Sequence, residues 1–402
     1  MSRKVVITGL GVISSIGNNV QENFNALTSL KPGIGHIQNL DTVHKNIIPV
    51  SEVKLTDEEL VQMAGFDKNR AVTRTTLLGV IAAREAYLSA GLDKVNKLRT
   101  GFISATSVGG MGKTEVLYPR YLDPNDTGDF MRFLETHDCG ESTERIAETL
   151  GIKDFMTTIS TACSSSANSI MLATRMIKAG MLDRAIAGGV DSLTVFTING
   201  FNTLMILDRE HCRPFDDSRQ GLNLGEGAGY IVIESEEAAK AGNRPILAEV
   251  GGYANTNDAY HQTASSPDGQ GAFLAMKKAL EVAGLKAEDI DYINVHGTGT
   301  PNNDLSEGTA MTRLFGANVP KFSSTKAYTG HTLGACGGIE AVYSTLAIMN
   351  KTIFPNLNFK VKMKELDLTP ETSLLSGVDI KNVLSNSFGF GGNNSALVFK
   401  KI

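Results

Sequence analysis

The sequence of 402 residues predicts an α/β fold built from two related halves. Short strand-like apolar runs alternate with longer segments of helical periodicity, which is typical of helices packed on sheets. Each half closes with a glycine-rich turn followed by an apolar strand, at 225–233 and again at 389–398. We therefore predict a first half at 1–245 and a second half at 246–402.

The predicted elements follow one another along the whole chain. Strands are expected at 4–7, 100–105, 156–161, 185–189, 229–234, 246–253, 292–296, 381–385 and 396–400. Helices are expected at 74–90, 166–180, 271–283 and 338–349. In the first helix Val80, Ala83, Tyr87 and Ala90 share one face at helical spacing. The polar segment 111–151 interrupts the alternation, and we interpret it as a cap inserted into the first half.

Composition and charge exclude several classes of protein. Apolar residues make up 42% of the chain and charged residues 20%, as in ordinary globular proteins. The formal net charge is −5, which argues against nucleic acid as a partner. No apolar run is long enough to span a bilayer, and the N-terminus enters a strand pattern without a secretory signal. The four widely spaced cysteines predict a cytoplasmic protein without a metal site.

Cys163 ends a strand-like run and is followed by small residues and an amphipathic helix. A cysteine at a helix start faces unpaired backbone N–H groups, and the helix dipole is expected to lower the pKa of its thiol. The alternative is a small buried apolar residue, because free cysteines are commonly buried. The small flanking residues favour an accessible nucleophile.

Three later segments offer partners for Cys163. His296 ends an apolar strand and enters a loop of glycines and threonines, where α/β folds bind ligands. Lys326 and His331 precede a helix start made of small residues. Phe390 lies in a glycine-rich loop, where a backbone N–H could complete an oxyanion hole with the amide of Cys163. Taken singly, each segment also fits a structural role, as a loop histidine, a solvated lysine or a plain turn.

Together and in this order, these motifs resemble the elongating type of β-ketoacyl–acyl carrier protein synthase, a family of thiolase-fold condensing enzymes. The resemblance runs from Val5 to the C-terminus and is strongest around Cys163, 213–216, His296, 326–338 and 386–392. It implies two halves that form a layered α-β-α-β-α core. His331 stands where the initiating synthases carry asparagine and where the thiolases use a second cysteine, which favours decarboxylative elongation.

The resemblance implies a role for each motif residue. Cys163 would hold the acyl chain as a thioester, and the amides of Cys163 and Phe390 would bind the developing oxyanion. His296 and His331 would bind the thioester oxygen of malonyl–acyl carrier protein and favour the loss of carbon dioxide. The resulting carbanion would condense with the acyl-enzyme and lengthen the chain by two carbons.

Supporting roles follow from the same resemblance. Lys326 would hold His331 in position, with Glu307 as its ion-pair partner, because an unpaired buried lysine is costly. Thr298 and Thr300 match the threonines that contact the phosphopantetheine arm of the carrier protein.

The loop in front of the cysteine has its own set of implied residues. Phe390 matches a gating aromatic, and Asp258 and His261 match a second loop that packs against this gate. Val108 falls where the family lines its acyl pocket. Asn393 departs from the threonine or glutamine that the family usually has after the gate.

The resemblance also implies partners. Substrates would arrive on acyl carrier protein, with no cofactor bound covalently, and Lys68, Arg70 and Arg74 match the approximate docking region. A homodimer is expected, or a heterodimer with a related subunit. The pathway is either general fatty-acid elongation or a specialised polyene or polyketide route. The alternative function is a catalytically silent chain-length partner, which the presence of Cys163 argues against.

Overall fold

The computed structural model describes residues 3–92, 98–126 and 128–402. Its strands are β1 Val5–Ser14, β2 Thr100–Ala105, β3 Phe155–Ile159, β4 Arg184–Asp191, β5 Gly227–Ser235, β6 Ala248–Asn257, β7 Tyr292–Asn294, β8 Lys321–Ser323, β9 Thr352–Ile353, β10 Leu375–Ser376, β11 Asn382–Gly389 and β12 Asn393–Lys400. Its α-helices are α1 Val20–Thr28, α2 Asp57–Ala64, α3 Arg74–Ser89, α4 Met111–Leu122, α5 Cys139–Leu150, α6 Ser165–Lys178, α7 Val195–Thr203, α8 Glu236–Ala241, α9 Gln270–Ala283, α10 Pro301–Phe315, α11 Lys326–Thr329 and α12 Cys336–Asn350. The first two residues of the predicted first half, and residue 127 of the predicted cap, lie outside the described residues.

Ten strands form one sheet in the order β3-β2-β4-β5-β1-β6-β12-β11-β7-β8. Outward from the junction, β1-β5-β4-β2-β3 in one half corresponds to β6-β12-β11-β7-β8 in the other. In both halves the first two pairings are antiparallel and the next two are parallel. The half-sheets join through the pairs Val6–Glu249 and Ile7–Ala248. This repeated topology confirms the two related halves, while the division at residue 245 stays a prediction.

The helices complete five layers. α6 and α12 lie between the half-sheets, since α6 contacts β4 and β12 while α12 contacts β5 and β11. α3 packs on β1 and β5 beside α5, and α9 packs on β6 and β12 beside α10. The predicted α-β-α-β-α arrangement is therefore confirmed. No helix within the described ranges is long and apolar enough to cross a membrane.

Strand β5 shows why the inner strands are almost continuously apolar. Ile231 and Ile233 belong to the core around α6 and α12, whereas Tyr230 and Val232 pack in the core around α3. Successive side chains of a strand point to opposite faces, so a strand covered on both faces needs apolar residues at nearly every position.

Helix α12 approaches the first half-sheet closely. A Cβ atom on Gly338 would lie 2.3 Å from the carbonyl oxygen of Gly229 on β5. Glycine at this position allows the start of α12 to rest directly on the strand. The segment that carries His331 is thereby brought against the half that carries Cys163.

The segment predicted as a cap contains two different parts. The first part comprises α4 and two short 3-10 turns at Asp129–Phe133 and Glu135–His137. The second part is α5, whose Ile146 and Ala147 pack in the core with α3. The cap is therefore shorter than predicted, because the charged outer face of α5 concealed its apolar stripe in the sequence.

Candidate active site

Cys163 lies in a tight turn between β3 and α6. Ala162 has a φ of +53°, a left-handed conformation that residues other than glycine rarely adopt and that clusters at functional sites. Ser165 closes the turn, because its Oγ accepts from the amide of Thr161 at 2.8 Å and donates to the carbonyl of Ala162 at 2.5 Å. The thiol is 6% exposed and lines a cavity of about 280 Å³.

This cavity brings together most of the residues predicted for the site. Its wall includes the predicted residues Cys163, His296, Thr298, Thr300, His331 and Phe390. It also includes residues that the sequence did not single out, among them Phe201, Met205, Gln220, Asn302 and Phe388.

His296 follows β7 and is buried. The Nζ of Lys326 lies 3.3 Å from its Nδ1. Since a lysine ammonium can only donate, Nδ1 accepts this hydrogen bond and the ring proton stands on Nε2. Burial lowers the pKa of His296 well below 6.5, and the charge of Lys326 and the nearby His331 act in the same direction. His296 is therefore a neutral ring that offers Nε2–H as a donor.

His331 reaches the same state through different contacts. Its Nδ1 accepts from the backbone N–H of Leu333 at 3.1 Å, and the Sγ of Cys336 also lies 3.1 Å from this nitrogen. Burial and the charge of Lys326 lower the pKa of His331 well below 6.5. The rings of His296 and His331 are 5.4 Å apart at an interplanar angle of 87°. Two neutral imidazoles thus line one cavity with their Nε2–H groups unused by the contacts described.

Lys326 contacts different partners from those predicted. Its hydrogen bond runs to His296 and not to His331, so the predicted support of His331 is wrong in this respect. Its ion-pair partner is Glu340 on α12, at 2.5 Å, and not Glu307. Burial opposes the charged form, but Glu340 and the other groups around the ammonium together outweigh burial and raise the pKa of Lys326. Glu340 is the only charged residue in 327–350, which is a signal that could have identified it.

Glu307 supports the histidine loop directly. Its carboxylate accepts from the backbone N–H groups of His296 and Gly297, each at 2.8 Å, and from Nδ2 of Asn386 at 3.0 Å. Burial raises the pKa of Glu307 to about 7, although these three hydrogen bonds oppose that shift.

The thiol of Cys163 does not have the lowered pKa that its place at a helix start predicts. Burial raises the pKa to about 11, and the charge of Lys326 and the amide of Phe390 offset burial only in part. Desolvation of the thiolate therefore outweighs the helix start. The backbone N–H groups of Phe390 and Cys163 nevertheless both interact favourably with the sulfur. These are the two amides predicted to bind an oxyanion.

Phe390, the predicted gate residue, begins a 3-10 turn, and its ring stacks on Phe201 with the ring centroids 5.6 Å apart. The loop predicted to pack against this gate does so through its backbone. The amide of Asp258 donates to the carbonyl of Gly392 at 3.1 Å. His261 instead accepts from the amide of Thr263, two residues further along its own loop.

Thr298 and Thr300 lie side by side, with their Oγ1 atoms 2.9 Å apart. Asp304 fixes the loop beneath them by accepting from the amides of Thr298 at 3.0 Å and Gly299 at 3.3 Å. Both hydroxyls therefore stand on a rigid loop at the cavity wall.

Val108 lies outside this cavity. It is buried in an apolar cluster with Leu193, Ile198 and Leu333, next to the turn that follows His331. Its predicted place in an acyl pocket stays a prediction.

Arg74 cannot serve the predicted docking surface. It pairs with Glu226 at 2.6 Å and with Asp57 at 2.9 Å, and its side chain is largely buried. This corrects the prediction for Arg74, whereas those for Lys68 and Arg70 stay open. In the part of the chain that the structure describes, no group of three or more His, Cys, Asp and Glu side chains is arranged to hold a metal ion.

Known proteins share both the sequence and the fold. Residues 2–239 match the family "Beta-ketoacyl synthase, N-terminal domain" and residues 247–360 match "Beta-ketoacyl synthase, C-terminal domain". The chain is 38% identical to 3-oxoacyl-[acyl-carrier-protein] synthase 2 of Staphylococcus aureus (strain COL), over 100% of this chain and 99% of that protein.

Two solved structures cover the chain from end to end. The ishigamide ketosynthase/chain length factor has a TM-score of 0.93 and 32% identity over 100% of both chains. A type II PKS acyl-carrier protein in complex with its ketosynthase has a TM-score of 0.88 and 26% identity over 100% of both chains. With its two matching halves and its buried cysteine beside two histidines, the chain belongs to the β-ketoacyl synthase family of condensing enzymes.

Proposed function

We propose that the chain catalyses decarboxylative Claisen condensation of malonyl–acyl carrier protein with an acyl chain held on Cys163. The product is a 3-oxoacyl–acyl carrier protein lengthened by two carbons. The observation that carries this proposal is the pair His296 and His331, both neutral, each with Nδ1 occupied, on the wall of the cavity that holds the thiol. Two N–H donors on neighbouring rings of one cavity suit an oxygen that gains negative charge during the reaction.

The first step transfers the acyl chain. The Sγ of Cys163 bonds to the acyl carbon, the bond from that carbon to the carrier's sulfur breaks, and the thiol proton leaves with the carrier. The amides of Cys163 and Phe390 hold the oxyanion of the tetrahedral intermediate. Covalent capture separates this transfer from the later carbon–carbon bond formation.

The second step generates the carbon nucleophile. The thioester oxygen of the malonyl group accepts from Nε2–H of His296 and of His331. The bond to the carboxylate breaks, carbon dioxide leaves, and its electron pair forms an enolate whose oxygen is held by the same two donors. Neutral rings suit this task, since they donate without transferring a proton to the enolate.

The third step joins the two chains. The enolate carbon attacks the carbonyl of the acyl-cysteine, the amides of Cys163 and Phe390 again hold the oxyanion, and the bond to Sγ breaks. The electron pair returns to the sulfur of Cys163, which takes up one proton from solvent and so regenerates the thiol. No electron is gained or lost over the cycle, so the proposal requires no redox cofactor.

The substrates would enter on the phosphopantetheine arm of acyl carrier protein, past the hydroxyls of Thr298 and Thr300. The names of the relatives support such a partner, since one relative is a 3-oxoacyl-[acyl-carrier-protein] synthase and one solved ketosynthase is in complex with its acyl-carrier protein. We propose a dimer, either of two identical chains or with a related subunit such as the chain length factor named for another relative. A cytoplasmic setting fits four cysteines that are all free.

The test follows the acyl group by intact mass after incubation with a mixture of saturated and polyunsaturated acyl–carrier proteins. We expect one acyl group per chain on wild type and none on Cys163→Ala. Acylation of Cys163→Ala, or no acylation of wild type by any chain, would contradict the proposal and leave the silent chain-length role. The rates of chain extension are then compared between the two kinds of substrate. If saturated chains are extended about as fast as polyunsaturated chains, general elongation is favoured over a specialised pathway.

A further inference from the structure

Cys336 is a buried thiol that the proposed reaction leaves unused. It begins α12, and its Sγ lies 3.1 Å from Nδ1 of His331. It is not part of the cavity wall that holds Cys163, so it lies behind the histidine and does not face the substrate. Its direct contact with the reacting groups is therefore through the ring of His331.

The groups around Cys336 indicate which atom donates in this contact. The hydroxyl of Thr332 lies 3.4 Å from the Sγ of Cys336, in position to donate to the sulfur. The thiol carries a single proton, and Nδ1 of His331 is the acceptor beside it. Burial raises the pKa of Cys336 to about 12, which keeps the thiol protonated and able to donate.

The same nitrogen also receives the backbone N–H of Leu333 at 3.1 Å. Leu333 has a φ of +51°, so this backbone donor sits in a left-handed turn that a leucine adopts at a cost. A second donor on Nδ1 would hold the ring in place even when the turn fluctuates.

We propose that Cys336 is a positioning residue for His331, whose S–H donates to Nδ1 and so keeps the proton on Nε2, where the thioester oxygen is bound. This inference rests on the proposed function for its kinetic consequence. The tautomer of His331, however, can be measured in the resting protein without any catalytic turnover.

The kinetic experiment compares wild type with Cys336→Ala and Cys336→Ser. Acyl transfer to Cys163 is followed by intact mass, and release of carbon dioxide from malonyl–carrier protein is followed separately. We expect Cys336→Ala to acylate normally and to release carbon dioxide roughly three- to tenfold more slowly, as the loss of one hydrogen bond implies. Cys336→Ser retains a donor and should recover much of this rate.

Cys212→Ala is the matched control. Cys212 is also a fully buried thiol, and its Sγ contacts the carbonyl oxygen of Lys326 at 3.7 Å instead of a histidine. This variant should keep the wild-type rate of carbon dioxide release. An equal loss in Cys336→Ala and Cys336→Ser, or an equal loss of acylation and decarboxylation, would overturn the proposal in favour of packing.

The spectroscopic experiment uses histidine labelled with ¹⁵N. Long-range ¹H–¹⁵N correlation should show His331 as the neutral Nε2–H tautomer in wild type. In Cys336→Ala, Nδ1 of His331 accepts one hydrogen bond fewer, so its ¹⁵N resonance should shift from the wild-type position. In Cys336→Ser the resonance should return towards the wild-type position. An unchanged Nδ1 resonance in Cys336→Ala would overturn the inference. If wild type released no carbon dioxide at all, the proposed function would fail while the tautomer measurement still decided the role of Cys336.

Discussion

The Nζ of Lys326 lies 3.3 Å from Nδ1 of His296, and this buried contact decides which ring nitrogen can meet a substrate. The same ammonium pairs with Glu340, so one carboxylate compensates the charge that orients the histidine. The positive charge also opposes protonation of both His296 and His331. Lys326 thus orients His296 and adds to the effect of burial that keeps both rings neutral, although Lys326 does not line the cavity itself.

Replacing Lys326 by methionine should destabilise the protein and slow decarboxylation. Glu340 would be left as a buried carboxylate without its partner, which costs about 3–5 kcal/mol of unfolding free energy. Chemical denaturation measures this loss. The double variant Lys326→Met/Glu340→Met should regain most of the stability but not the rate, because His296 still lacks its donor. Equal instability of the single and double variants would contradict the pairing.

Protonation of His296 and His331 should not slow decarboxylation at or above pH 6.5. Burial lowers the pKa of His296 and of His331 well below 6.5, so both rings stay neutral at and above that pH. Protonation, and with it the loss of the neutral donors, begins only at lower pH. Initial rates of carbon dioxide release across a pH series check this expectation. Because Glu307 has a pKa of about 7 and supports the histidine loop, the series is repeated with Glu307→Gln. An acid limb centred at or above pH 6.5 that persists in this variant would show that the rings are not shielded as described.

Gly389→Ala should slow acylation of Cys163 while the fold is kept. An added Cβ would lie 3.1 Å from the amide nitrogen of Cys163 and 3.1 Å from the carbonyl of Thr161, so it crowds the oxyanion amides. The φ of Gly389 is −116°, which alanine adopts without strain. Acylation rates by intact mass and the melting temperature measure the two effects. Gly35→Ala, where a Cβ meets nothing within 4 Å, serves as the control and should acylate at the wild-type rate.

Asn393→Ala should lower the free energy of unfolding. The Oδ1 of Asn393 accepts from Ser164 Oγ at 2.6 Å, Asn255 Nδ2 at 2.6 Å and Asn168 Nδ2 at 3.2 Å. Each donor keeps another acceptor in the network, so the cost is that of the lost hydrogen bonds, about 1–3 kcal/mol in total. Asn350→Ala, at the exposed end of α12, should change stability far less, and equal losses in both variants would contradict the role of this network.

The strands and the reacting residues could be predicted from the sequence because their signals are local. The nine predicted strands overlap nine of the observed ones, since strands such as β5 carry apolar residues on both faces. Cys163 follows one predicted strand and His296 ends another, and the fold brings both to one cavity with His331.

The features that could not be predicted from the sequence depend on distances in the folded chain and on the removal of water from buried groups. Glu307 and Glu340 are both close to Lys326 along the chain, and only the fold shows which carboxylate reaches its ammonium. The pKa of Cys163 was predicted in the wrong direction, because a helix start is visible in the sequence while the loss of water around the thiol is not. Helix α5 was assigned to the cap because its charges stand out more than Ile146 and Ala147.

The repeated strand order gives the two halves equivalent positions with unlike chemistry. Cys163 lies between β3 and α6, and His331 lies between β8 and α12, which is the matching junction in the other half. Under the proposed function, the two equivalent junctions carry different roles, with a sulfur that holds the growing chain at one junction and an imidazole that activates the extender at the other. Neither half contains all of the residues assigned to the reaction, so synthesis of the chain must reach Phe390 before Cys163 can do this chemistry.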